Sequence, residues 1–364
     1  MARKKLLGMT PEELQQVVLE VGLPKFTAGQ IAQWMYVKRV RSIDEMTNIS
    51  KVGREALKEK YDLGVTPYAG LASSSDGTKK YLFPVEIERP GGWKTLDGHN
   101  LTEKSAVEAV MIPDEDRATL CVSSQSGCRM GCKFCMTGRQ GYHGSLSVAD
   151  ILSQFIAVDE THELTNTVFM GMGEPLDNYE NVMKAITVLT ADWGFGWSPK
   201  RITLSTIGVL PNLKRYLDEC RCHLAVSLHS PFPDERASIM PAQKSWDELK
   251  ILELLRKYDF SGQRRVSFEY TMFAGLNDDK RHADALARLL KGMECRVNLI
   301  RFHKIPDFPY DCPPAEIMEA FRDRLNRQGV TTTIRASRGE DILAACGMLA
   351  GQHNQAAKRP AETE

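Results

Sequence analysis

Six apolar strand patterns that alternate with helical ones across residues 119–302 predict an α/β fold built on a parallel sheet. The runs T-L-C-V-S-S, N-T-V-F-M-G-M, R-I-T-L-S-T, H-L-A-V-S-L-H, R-V-S-F-E-Y-T-M and R-V-N-L-I-R-F are nearly continuous in apolar residues, as strands covered on both faces are. Helical segments at 147–159, 178–191, 246–258 and 280–291 separate them, so helices are expected to pack over the sheet. Strand-end residues then gather at one face, where barrel enzymes place their chemistry.

Ahead of this unit, residues 1–65 read as a small helical accessory domain. Thr10-Pro11-Glu12-Glu13 combines a capping Thr, a Pro at the first helical position and a Glu at the third. Leu14, Val17, Val18 and Val21 follow at helical spacing, and Gly22 is a C-terminal stop. Thr27-Ala28-Gly29-Gln30 repeats the capping box before Ile31, Trp34 and Met35, and a third helix covers Lys51 to Tyr61. Lys38, Arg39 and Arg41 cluster at the second helix's end. They suit either a solvated helix terminus or contact with RNA.

Residues 66–113 form a β-rich extension in which K-K-Y-L-F-P-V-E-I and A-V-E-A-V-M-I pair around the turn-rich loop R-P-G-G-W-K-T-L-D-G-H-N. The core then spans 114–345, with a helix near 313–328 and a strand T-T-T-I-R after the sixth unit. Residues 346–364 carry a C-terminal Cys segment and a polar tail expected to be disordered.

At 364 residues the chain can bury a large core, and 42% hydrophobic with 26% charged residues is ordinary for a globular protein. No run reaches the length of a membrane span, and M-A-R-K-K-L-L-G lacks a long apolar region. A cytoplasmic protein without a membrane partner is expected, with its thiols reduced. Nine cysteines in such a chain point to metal or redox chemistry rather than a disulfide scaffold. A net charge of zero neither requires nor excludes a nucleic-acid partner, because a local basic face is what matters.

The most telling motif is C-x₃-C-x₂-C, at Cys128, Cys132 and Cys135. Structural zinc is closed by four ligands, typically as two separated pairs. No second C-x₂-C pair exists here, and the nearest histidine, His143, lies beyond a Gly-rich stretch. An iron–sulfur cluster held by three thiolates leaves one corner uncovered, which a substrate can bind. Gly171-Met172-Gly173-Glu174-Pro175 follows the second strand, Ser205 ends the third, and Ser227-Leu228-His229 ends the fourth. Taken singly, the remaining cysteines, Cys121 and Cys346 included, read as ordinary core or surface thiols.

The triplet resembles the signature of radical S-adenosylmethionine (SAM) enzymes, with Phe134 as the aromatic residue before the last Cys. Further motifs narrow the resemblance: A-V-E-x-V, D-R-A-T-L-C-V-S-S-Q, G-M-G-E-P-L, G-F-G-x-S, L-S-T-x-G, S-L-H and D-I-x-A-A-C-G together are similar to the RlmN/Cfr family of rRNA adenine methyltransferases. G-M-G-E-P-L and W-G-F-G-W-S-P-K-R resemble the RlmN branch, which methylates adenine C2. The Cfr branch, which methylates C8, usually has Ala after G-M-G-E.

That resemblance implies an incomplete (β/α)₆ radical-SAM barrel and one [4Fe-4S] cluster on Cys128, Cys132 and Cys135. SAM would be consumed two per turnover, held near Gly173, Glu174, Ser205, Ser227, Leu228 and His229. His303 stands where the family often has a SAM-contacting Asn. By the same resemblance Cys346 accepts a methyl group and later a bond to the base. Glu108 removes the C2 proton, although an exposed strand carboxylate is the commoner reading of such a residue. Cys121 attacks Cys346 to release the product through a transient disulfide. The implied substrates are adenine 2503 of 23S rRNA and adenine 37 of some tRNAs. A flavodoxin or ferredoxin would donate the electron, and the enzyme would act as a monomer. Two rival readings stay open: C8 methylation of the same adenine, and an iron–sulfur module that binds RNA or senses redox state.

Overall fold

The Thr10 hydroxyl accepts the Glu13 amide hydrogen at 3.3 Å while the Glu13 carboxylate accepts that of Thr10 at 2.7 Å, the reciprocal cap the sequence predicts. In this computed structural model, which describes residues 3–88, 102–262 and 264–350, that cap starts α1 (Pro11–Glu20) just after β1 (Lys4–Lys5). Gly22, at φ 73°, ends α1, and the Leu23 amide donates back to Val18 O. The second capping box does not form. Phe26 occupies the cap position of α2 (Thr27–Ala32), and Thr27 is buried inside the first turn without a side-chain cap bond. A π-helical turn over Gln33–Val37 continues α2, and α3 (Lys51–Lys60) is capped by Ser50. The domain closes on itself where β2 (Tyr61–Asp62) pairs in parallel with β1.

In the Lys38–Arg41 cluster, Lys38 and Arg41 stay exposed while Arg39 is half-buried, and each of the three makes a contact within the chain. Lys38 folds over Trp34 at 3.5 Å from the ring centre. Arg39 stacks on Phe195 at 4.4 Å, and Arg41 donates to Val158 O at 3.1 Å. Two of the three cations therefore dock the helical domain onto the rest of the chain.

Ten strands form one sheet. The antiparallel part comprises β3 (Gly70–Ser73), β4 (Lys79–Glu88) and β5 (Thr102–Asp114), which pairs with β6 (Arg117–Cys121). The two predicted β-runs pair with Leu82 opposite Glu108. The loop between them, and the C-terminal tail from residue 351, lie outside the described residues. Rather than standing apart, this segment extends the core sheet.

After β6 come a hairpin of β7 (Gln125–Gly127) and β8 (Tyr142–Ser145) around α4 (Met136–Arg139), then α5 (Val148–Ile156). The parallel units continue with β9 (Asn166–Phe169), α6 (Tyr179–Thr190), β10 (Ile202–Thr206), α7 (Leu210–Glu219) and β11 (His223–Ser227). Then follow α8 (Pro233–Ile239), α9 (Glu248–Leu255), β12 (Val266–Met272), α10 (Lys280–Leu290), β13 (Cys295–Arg301), α11 (Ala315–Arg327) and β14 (Thr331–Ile334). The spatial order is β14-β13-β12-β11-β10-β9-β6-β5-β4-β3, with β6 and β9 to β14 mutually parallel. The six predicted strands are β6 and β9 to β13, and β14 adds a seventh. Their inner residues, Leu120, Leu204, Leu224, Phe268 and Leu299 among them, are buried. Among the described residues no helix is long and apolar enough to cross a membrane.

The chain after β14 crosses to the opposite end of the sheet. Asp76 accepts the Gly339 amide at 3.0 Å, Asp341 accepts the Ser74 hydroxyl at 2.6 Å, and Lys80 donates to Leu343 O at 3.3 Å. These ties draw the two ends of the sheet toward each other and carry Cys346 to the loop edge.

Candidate active site

The strand β6 runs into the cysteine loop, which the β7–β8 hairpin clasps: Cys128 N–H donates to Gly141 O at 2.8 Å. Gly127 is required at the hinge. Its φ is +68°, and a Cβ there would lie 1.9 Å from Gly141 O. The loop delivers Cys128, Cys132 and Cys135 to the wall of one cavity. Five consecutive strands, β9 to β13, line the rest, Glu269 from the middle of its strand and the others with residues at or near their C-terminal ends or just beyond them.

Gly173, Glu174, Ser205, Ser227, His229 and Cys346 line that same cavity. Leu228 does not; its side chain is buried in the core, and its carbonyl accepts from Arg236 at 3.1 Å. His303 lies outside as well, in an adjoining cleft, hydrogen-bonded to Ser337 at 3.1 Å. His143 pairs with Glu103 at 3.7 Å and is absent from the cavity wall.

The polar side chains near the thiols are already committed. Glu174 Oε1 accepts from the Thr206 hydroxyl at 2.6 Å and Leu176 N–H at 3.1 Å, and Oε2 accepts from Ile207 N–H at 3.0 Å. Burial pushes this carboxyl up to about 7. His229 sits at φ 61°, and its Nδ1 accepts the Thr271 amide at 3.0 Å. Burial, with Arg236 close by, lowers its pKa to about 3, so the ring is neutral and carries its proton on Nε2.

Burial dominates at the three cysteines too. It pushes Cys128 up to about 12 and raises Cys132 and Cys135, and a neighbouring thiol adds to the shift at each: Cys135 at Cys128 and Cys132, and Cys346 at Cys135. Among the described residues no three His, Cys, Asp or Glu side chains form a ready-made site for a metal ion. The donor set still fits a group larger than one ion. Three thiols share one wall, a cationic centre would offset the cost of ionising them, and the neighbouring Glu174 and His229 are held by other bonds.

Cys346 arrives from the other end of the chain. Met136 N–H donates to Gly347 O at 2.8 Å, the Thr137 hydroxyl to Leu349 O at 2.7 Å, and Gln140 Nε2 to Ala350 O at 2.6 Å. These bonds dock the Cys346 segment on α4, directly after Cys135, with Gly347 packed against Phe134 and Cys135. Cys121 is buried at the end of β6. Burial first, and nearby Cys346 second, push its thiol up to about 12. Both are free thiols. Glu108, on the neighbouring strand β5, is buried rather than exposed. It pairs with Lys80 at 3.1 Å and accepts the Ala350 amide at 2.8 Å.

Two positioning residues left no trace in the sequence. Arg236, 1% exposed, donates to the carbonyls of Ile207, Ser227, Leu228 and Trp246 and to Gln243. It pins the turn that carries Ser227 and His229. Its ion pair with buried Glu248, at 3.6 Å, is too long for a hydrogen bond. Glu269 lines the cavity and joins Ser267, Asn298 and Arg335. Arg236 lies in P-D-E-R and Glu269 in the middle of a strand, where neither pattern signals a role.

Comparison with known proteins gives consistent matches. Residues 4–63 match the ribosomal RNA large subunit methyltransferase N-terminal domain, and residues 122–286 match the radical SAM superfamily. A probable dual-specificity RNA methyltransferase RlmN of Porphyromonas gingivalis is 57% identical over 94% of this chain and 96% of its own length. One from Bacteroides fragilis is 54% identical over 96% and 97%, and the dual-specificity RNA methyltransferase RlmN of Syntrophus aciditrophicus is 39% identical over 97% and 98%. The crystal structure of a radical SAM methyltransferase from Sphaerobacter thermophilus superposes with a TM-score of 0.86 at 36% identity, covering 96% of this chain and all of that one.

Proposed function

The chain belongs to the RlmN family of radical SAM RNA methyltransferases, and from that premise we propose that it methylates C2 of adenine 2503 in 23S rRNA and of adenine 37 in some tRNAs. The observation that carries this reading is the placing of Cys346 between the cysteine triplet and Cys121. A binding module has no use for that pair, and radical chemistry without a methyl carrier does not need it either.

Cys128, Cys132 and Cys135 would hold one [4Fe-4S] cluster, and Gly173, Ser205, Ser227 and His229 would surround SAM. When bound, the reduced cluster and SAM supply the radical chemistry that activates the methyl group on Cys346. An electron carrier such as flavodoxin or ferredoxin fits the reductant's role. Two SAM molecules serve each turnover, one as methyl donor and one as radical source. Glu174, its oxygens occupied, fixes the floor of the cavity. His229 presents an Nε2–H donor from a ring that stays neutral at physiological pH.

The chain's own thiols and carboxylate do the rest. Cys346 carries the methyl carbon and joins it to the base, because an electron-poor ring carbon is a poor nucleophile. Glu108, held by Lys80 and the Ala350 amide, takes the C2 proton. The Cys121 thiolate then attacks the Cys346 sulfur, the S–S bond forms as the bond from that sulfur to carbon breaks, and the electron pair left on the base and its methylene carbon takes up a proton, which completes the methyl group. The base must be unstacked to reach this site. Mass spectrometry and NMR of the nucleoside from a purified anaerobic reaction test the reading. A C8-methyl product, or no methylated adenine, would overturn it.

A further inference from the structure

Beside the cavity, and sharing Cys346 and Ile300 with it, lies a cleft of about 330 Å³ that the reaction described so far does not use. The β5–β6 turn forms one side, and the segments following β13 and β14 form the other. Its charge is one-sided. Arg301, Arg335 and Arg338 line it with His303 and Ser337, against a single carboxylate, Asp114.

The three arginines differ in how far they are committed. Arg335 is tied inward, to Met170 Sδ at 3.3 Å and to Glu269 at 3.4 Å. Arg338 is only loosely paired, with Asp114 at 4.0 Å. Among the described residues Arg301 has no ion pair and no side-chain hydrogen bond. Two guanidinium groups thus line one opening with most of their donors unused, and the Ser337 hydroxyl and the His303 ring meet at 3.1 Å in the same cleft. Planar guanidinium forks match phosphate oxygens better than any other side chain does.

Resting on the RNA-methyltransferase reading, we infer that Arg301 and Arg338, with Ser337, seat a backbone phosphate next to the target adenine. A nucleotide's phosphate and base are separated by one ribose. A phosphate held in this cleft therefore delivers its base to the wall where Cys346 stands. The juxtaposition supplies a local basic surface beside Cys346 in a chain of zero net charge.

The test uses the cluster-loaded enzyme and a labelled hairpin RNA containing the target adenine, with methylphosphonate replacing one flanking phosphate at a time. Arg301→Ala and Arg338→Ala should each weaken RNA binding about tenfold. Each should also flatten the slope of log affinity against log salt by about 0.7–0.9. Arg338→Lys should recover most of the salt slope. One methylphosphonate position should weaken binding to the unaltered enzyme by a similar factor yet add little to Arg338→Ala, while cluster absorbance and SAM binding stay unchanged. If both alanine variants bind with unaltered affinity and slope, or if every methylphosphonate penalty adds in full to that of Arg338→Ala, the phosphate seat is wrong. RNA methylation by the unaltered enzyme in that same assay would leave the functional reading standing. If the unaltered enzyme neither binds nor methylates RNA, the functional reading falls and the seat with it.

Discussion

Glu108 accepts the Ala350 amide hydrogen at 2.8 Å across 242 residues of sequence, so the proposed proton acceptor also anchors the segment that carries Cys346. Its partner Lys80 binds the same segment through Leu343 O. Methyl carrier and base are therefore fixed by one buried ion pair.

Replacing Glu108 by Gln tests both duties. The amide oxygen can still accept from Ala350, but Lys80 loses its carboxylate, and breaking a buried pair costs about 3–5 kcal/mol. Adding Lys80→Met should recover much of the thermal stability. RNA methylation should stay about 10²- to 10⁴-fold slow in both variants, with methyl transfer to Cys346 retained. Recovery of RNA turnover together with stability would reduce Glu108 to a structural residue.

The two thiols should fail at different steps. Cys346→Ala removes the methyl acceptor, so neither methylated protein nor methylated RNA should form. Cys121→Ala should accumulate protein covalently joined to RNA, seen as a nuclease-sensitive shift on a denaturing gel. Normal turnover of Cys121→Ala without adduct would return Cys121 to the core.

Burial sets a pH dependence for release. With the Cys121 thiol pushed up to about 12, the group is protonated at neutral pH. Its thiolate fraction then grows about tenfold per pH unit below that value. Decay of the pre-formed adduct should accelerate by about that factor from pH 7 to 8 and again to 9, followed in a single turnover. A rate that stays flat over this range would mean that another group limits release.

Alanine at Gly173 should be severe. The position has φ +99°, and a Cβ would lie 2.5 Å from Gln125 Cβ and 2.8 Å from Gln125 N. The left-handed backbone alone costs about 1–2 kcal/mol, and the clash adds to it. The unfolding midpoint should fall, and SAM binding by the reconstituted protein should be lost. A variant that binds SAM as the parent does would show that this turn tolerates displacement.

Removing any one of Cys128, Cys132 and Cys135 by substitution with Ala should abolish cluster absorbance and turnover. Retention of methylation by the triple variant would exclude the cluster from the reaction.

Much of this architecture is local and therefore legible in sequence. A cap such as Thr10–Glu13, a stop such as Gly22 and continuous apolar strands act over a few residues, and the tight spacing of Cys128, Cys132 and Cys135 places all three on one short loop. The second capping box failed because the surrounding packing buried Thr27, and burial outweighs a weak local preference. The cations at 38–41 formed a visible cluster, yet charge alone does not reveal that Arg39 stacks on an aromatic ring more than 150 residues away.

By itself the sequence determined the β/α alternation, the closely spaced cysteine triplet and, through motif resemblance, the roles expected of Cys121, Cys346 and Glu108. Only the tertiary structure decided that Cys346 lies against the cysteine loop, that His303 and Leu228 stand outside the cavity, and that Arg236 holds the Ser227–His229 turn. The physical reason is range. Periodicity and capping are set by neighbours along the chain, whereas the partners of a buried charge or thiol are chosen by which distant strands the sheet brings together.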